Sequence, residues 1–109
     1  MKRIFVCSAY AGDIEANTAK AIEYCRRVIA EGHAPFAPHL LYPQMLDESN
    51  PADRAKGIAC GLAWLDVCDE MWVFGLVSSG MRQEILEATA NMTKIRYFNQ
   101  EDNECTQPE

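Results

Sequence analysis

Short apolar runs alternate along this chain with stretches of helical periodicity, and that alternation constrains the fold more than any other feature. Lys2 to Ser8 (KRIFVCS), Glu70 to Gly75 (EMWVFG) and Lys94 to Phe98 (KIRYF) are rich in Ile, Val and aromatic residues and too short for helices. His33 to Ala37 reads as a further strand, with Pro35 marking it as an edge or irregular one. Asp13 is a good N-cap for the first helical stretch, in which Ile14, Thr18, Ala21, Ile22, Cys25, Val28 and Ile29 recur at helical spacing up to Gly32. Asn50, Pro51 and Asp53 open a second helix with an inner stripe of Ala55, Ile58, Ala59, Leu62 and Leu65. Met81, Ile85, Ala88, Thr89 and Met92 carry a third. Strands alternating with helices predict βαβ units, hence an α/β fold with a parallel sheet and right-handed crossovers.

At 109 residues the chain is expected to form one domain, residues 1–98, followed by an acidic tail, 99–109, that lacks periodicity and reads as disordered. Pro38 to Asn50 is expected to be a loop with one helical turn, and Trp64 and Trp72 to be core. The net charge of −6 and the scattered basic residues argue against a nucleic-acid surface. No apolar run approaches the roughly 18 residues of a membrane helix, and the N-terminus lacks a signal-peptide pattern, so a cytoplasmic location is expected. Five cysteines without a CxxC spacing argue against disulfides, and four of them sit among apolar neighbours, where buried thiols are expected. His33 and His39 have no partner at metal-ligand spacing, so no metal site is expected.

In a parallel α/β sheet, ligands bind beyond the carboxyl ends of the strands. Two stretches fall there. Leu76 to Glu84 (LVSSGMRQE) places Ser78, Ser79 and Gly80 at a helix start, where free N–H groups suit phosphate or another anion. Ser79 is the expected N-cap, and Arg82 in the first turn either reaches an anion or faces water. Glu84 lies within the first turns, where the helix dipole favours an ionised carboxylate, and such a group can attack an activated sugar carbon. Ser8 to Asp13 (SAYAGD) supplies Ser8, Tyr10 as a stacking platform and Gly12 as a flexible position. It is not a GxGxxG fingerprint, which excludes a nicotinamide-binding reading. Asp66 and Asp69 border the strand at Glu70, and His39 borders the pocket mouth as a candidate acid or base.

FVCSAYAGD, GLAWLDVCDEMWVFG and SSGMRQEILEATANMTKIRYF together resemble the nucleoside 2-deoxyribosyltransferase-like superfamily, above all its short bacterial and phage members, from Lys2 to Phe98. The resemblance implies a flavodoxin-like, Rossmann-like three-layer sandwich with a four- to five-stranded parallel sheet. It implies an enzyme that cleaves or exchanges the N-glycosidic bond of deoxynucleosides or their 5′-monophosphates, without a cofactor, as a homodimer or higher homo-oligomer. Glu84 matches the attacking Glu, and Ser78, with Ser79 beside it, matches a serine that holds the 5′-phosphate. The family's upstream Asp falls on Gly61, and its first-strand Tyr falls on Ile4 or Phe5, leaving Tyr10 to serve from the loop. Asp69 or Asp66 is then the remaining candidate acid. Two other readings stand beside the enzyme: a nucleotide-binding module without turnover, and a small oligomeric interaction domain. The implied partner is a small nucleoside or nucleotide, with no nucleic acid and no membrane.

Overall fold

The computed structural model describes residues 1–109. β1 (Arg3–Cys7), β2 (Ala34–Phe36), β3 (Glu70–Phe74) and β4 (Lys94–Phe98) pair in parallel, and β5 (Glu104–Cys105) adds an antiparallel edge beside β4. The strand order is β2-β1-β3-β4-β5. This is the flavodoxin-like order, in which the chain switches direction between β1 and β3. β1 and β3 are central and covered on both faces, so they need no polar alternation. That is why IFVC and MWVF are continuous apolar runs, buried at every residue.

Alternate side chains of these strands feed two cores. Ile4, Val6, Trp72, Phe74 and Phe98 point to the face covered by α1 (Ile14–Ala30), where Val28, Tyr24 and Cys25 meet them. Phe5, Cys7, Met71 and Val73 point to the other face, under α2 (Pro51–Leu65) and α3 (Ser79–Ala90), which contribute Leu65, Met81 and Ala88. Each large side chain removed from water in this way contributes about 1.5–3 kcal/mol. The result is three layers.

The helix faces differ from their predicted stripes. On α1, Ile14, Ile22 and Ile29 are exposed, because the line in contact with the sheet is Ala21, Tyr24, Cys25 and Val28. On α2, Ala55, Ile58 and Ala59 face outward, and the buried line is Gly57, Gly61 and Leu65. Two 3-10 turns, Pro38–Leu40 and Tyr42–Gln44, replace the single turn expected after β2 and press against this glycine line. A Cβ on Gly61 would stand 3.4 Å from the Pro38 Cβ, and one on Gly57 would stand 3.4 Å from Leu46 Cδ1. Trp72 is buried as expected, but Trp64 is 51% exposed, resting one face on Phe36. Thr89 and Met92 also face outward, with Met92 in the left-handed region at φ 60° just beyond α3.

Residues 99–105 fold back against the sheet edge. Asn99 Oδ1 accepts from the Glu101 and Asn103 N–H groups, closing a turn that returns the chain to β4. Arg96 then grips both Glu104 oxygens at 2.8 and 2.7 Å, and Arg27 donates to the Asp102 carbonyl. These contacts are made by single side chains, which carry no periodicity for a sequence pattern to reveal. Of the five cysteines only Cys7 is buried, and Cys60 is exposed. No helix is long and apolar enough to cross a membrane.

Candidate functional site

The carboxyl ends of β1 and β3 place the two predicted loops side by side. After β1 the chain leaves through Ser8, Ala9 and Tyr10, and Gly12 adopts φ +100°, a conformation that disfavours any side chain. After β3 it turns sharply at Gly75, φ +77°, and enters α3. Ser78, not Ser79, is the N-cap: its Oγ accepts from the Met81 N–H at 3.3 Å. Met81 serves in place of the usual Glu or Gln, since its Sδ accepts from the Ser78 N–H at 3.4 Å. With Met81 N–H capped and Arg82 N–H bonded to the Ser78 carbonyl, the N–H groups of Ser79 and Gly80 are left pointing out of the helix start. Arg82 is exposed beside them.

Glu84 lies one turn further on, on the side of α3 that faces Cys7. The residue is half-buried, but its Oε1 is fully covered and has no hydrogen-bond partner. Burial pushes its carboxyl up to about 7, with the neighbouring Cys7 thiol pulling the other way. The expectation of a fully ionised carboxylate at neutral pH is thereby corrected: at this depth loss of hydration outweighs the helix dipole. Cys7 is itself held as a thiol, by its burial first and by the Glu84 charge second, and its Sγ also lies 3.9 Å from the Met81 carbonyl.

The other predicted residues disperse. Tyr10 stacks on His39 at 5.0 Å between ring centroids, and both line a cavity of about 450 Å³ with Thr18, Leu40 and Gln44. Burial keeps His39 below its ordinary value, against a hydrogen bond to the Ser8 backbone that raises it, so burial favours the neutral ring. Ser8 is buried, and its Oγ has no partner. It forms the floor of a second groove of about 480 Å³ on the α1 face, walled by α1 and by Gln100 and Asp102 of the tail. Neither cavity is lined by Glu84.

Asp69 is at the wrong end of the sheet to serve as an acid. Its carboxylate accepts from the Arg3 N–H at 2.7 Å, at the start of β1 and β3. The five residues of β3 separate it from the carboxyl edge by about 16 Å. Asp66 is also engaged elsewhere, accepting from Asn91 at the far end of α3. Gly61, where the resemblance expects an Asp, supplies only its close contact with Pro38.

A family model spans residues 2–98, and its family is described as a domain of unknown function, DUF7768. The chain belongs to this family. Among curated proteins none matches the sequence. Solved structures share the fold of this DUF7768 domain. A 2-deoxyribosyltransferase from the psychrotolerant bacterium Bacillus psychrosaccharolyticus superposes with a TM-score of 0.67 at 16% identity, over 89% of this chain and 72% of that one. The CMP N-glycosidase BcmB of Clostridium botulinum gives 0.54 at 20% identity, over 90% and 69%. The fold is therefore that of the nucleoside 2-deoxyribosyltransferases, as the motifs implied. Sequence reasoning missed Asn17, Tyr24, Gln100 and Asp102 as groove residues. A helix flank and an aperiodic tail leave no local signal for them.

Proposed function

We propose that this domain cleaves or exchanges the N-glycosidic bond of deoxynucleosides or their 5′-monophosphates, with Glu84 as nucleophile. The observation that carries the reading is the Glu84 carboxyl, partnerless at Oε1 and held near neutrality, one turn into a helix at the carboxyl edge of a deoxyribosyltransferase fold. An unpaired buried acceptor is costly, and such groups concentrate at sites of chemistry. In the proposed reaction a Glu84 oxygen attacks the anomeric carbon. The carbon–nitrogen bond breaks, its electron pair leaves with the base, and the base takes a proton from water. Water or a second base then displaces the ester and returns the free carboxylate. Ser79 N–H, Gly80 N–H, the Ser78 hydroxyl proton and Arg82 supply donors for a 5′-phosphate at the start of α3.

A binding module without turnover is the second reading. What favours it is Gly61, packed on Pro38 at the position where the resemblance expects an Asp. The test is to incubate the protein with deoxynucleosides, their 5′-monophosphates and CMP, and to follow free base by chromatography. The enzyme reading predicts base release by the wild type and a loss of about three orders of magnitude or more in Glu84→Gln. Saturable binding with no base released would establish the module instead.

A further inference from the structure

The groove on the α1 face is a separate feature from Glu84, which lies under the other face of the sheet. Its floor is Ser8, Phe74 and Gly75, and Gly75 has no neighbour within 4 Å of its Cβ position, so the floor is open above it. Ser8 is 3% exposed and lines the groove, and its covered Oγ lacks any partner, which leaves an unsatisfied hydroxyl at the groove floor. The walls carry hydrogen-bonding groups with capacity to spare. Asn17 donates through Nδ2 to the Tyr10 and Ala11 carbonyls, leaving its Oδ1 as an acceptor. Lys20 makes no ion pair. Asp102 has its backbone carbonyl on Arg27 but its carboxylate free, close enough to Tyr24 to raise that phenol, after burial, above its ordinary value.

Charge narrows the ligand. Glu23 also lines the groove and is paired with Arg26 at 2.5 Å on the exposed rim, so the unpaired charges of the lining are one cation, Lys20, and one anion, Asp102. The groove therefore selects neither an anion nor a cation. Its uncharged donors and acceptors, with a free carboxylate able to accept from adjacent hydroxyls, match a polyol. A volume of about 480 Å³ accommodates a monosaccharide or a nucleoside.

We propose that the groove between α1 and the β4–β5 turn binds a neutral, hydroxyl-rich ring through Ser8, Asn17 and Asp102, as a site distinct from Glu84. The proposal does not depend on turnover. Uridine and D-ribose are the probes, titrated into isotope-labelled protein and read by amide chemical shifts. Saturable shifts at Ser8, Lys20, Gly75, Gln100 and Asp102 are expected, with equal affinity in Glu84→Gln. Ribose alone saturating the groove identifies a sugar site, and uridine alone a nucleoside site. Ser8→Ala is expected to weaken binding. Asp102→Gly is expected to weaken it roughly tenfold while keeping the fold, since its φ of 63° suits glycine. Absence of saturable shifts with either probe, equal binding of inorganic phosphate, or loss of binding in Glu84→Gln would each overturn the proposal.

Discussion

At the scale of single residues, Glu84 sets the pH behaviour. Its folded carboxyl titrates near 7 against an ordinary 4.5. Between those values the folded chain holds a proton that the unfolded chain has released. Stability therefore falls as pH rises through that window, by about 3 kcal/mol in all. Glu84→Gln removes the titration. Its melting temperature is expected to exceed that of the wild type by several degrees at pH 8 and to match it near pH 4.5. An equal difference at both pH values would show that the carboxyl is not buried as described. Because the nucleophile must be ionised, base release should also rise with pH through about 7. Position and candidacy of Glu84 were legible in SSGMRQE, but its ionisation was not. Sequence shows the helix start, whereas the desolvation comes from burial in the folded chain, on the side of α3 that faces Cys7.

At the scale of elements, strands were more legible than helix faces. IFVC and MWVF announce central parallel strands because burial on both sides leaves nothing polar to interrupt them. α2 misled because its inner line is made of missing side chains. Gly57 and Gly61 are buried so that Tyr42, Leu46 and Pro38 can approach the helix, while apolar residues such as Ile58 and Trp64 remain outside. Gly61→Val should overpack that contact and lower stability by about 1–3 kcal/mol, measured by denaturant melting. A neutral or stabilising effect would mean that Pro38 yields easily and that the glycine line is not needed for packing. At this position, where the resemblance expects an Asp, a Cβ would already touch Pro38 at 3.4 Å, so a longer side chain meets the turn after β2. Asp69, an apparent alternative in sequence, is spent on aligning β1 with β3.

At the scale of the whole molecule, the strand order puts the β1–β3 switch point at the carboxyl edge, and the two faces of the sheet carry different features there. One face holds Glu84, and the other holds the groove closed by the tail. The tail is held by Arg96 on Glu104, Arg27 on Asp102 and the pairing of β5. Removing residues 99–109 should cost roughly 1–2 kcal/mol of stability and abolish polyol binding at the groove. Unchanged melting together with unchanged binding would contradict that role. The central claim is that Glu84 is a nucleophile. Its most direct test is to quench the protein during incubation with a deoxynucleoside and map any covalent adduct by peptide mass. The prediction is a deoxyribosyl ester on Glu84, absent in Glu84→Gln. Base release that proceeds undiminished in Glu84→Gln, with no adduct on the wild-type peptide, would contradict it.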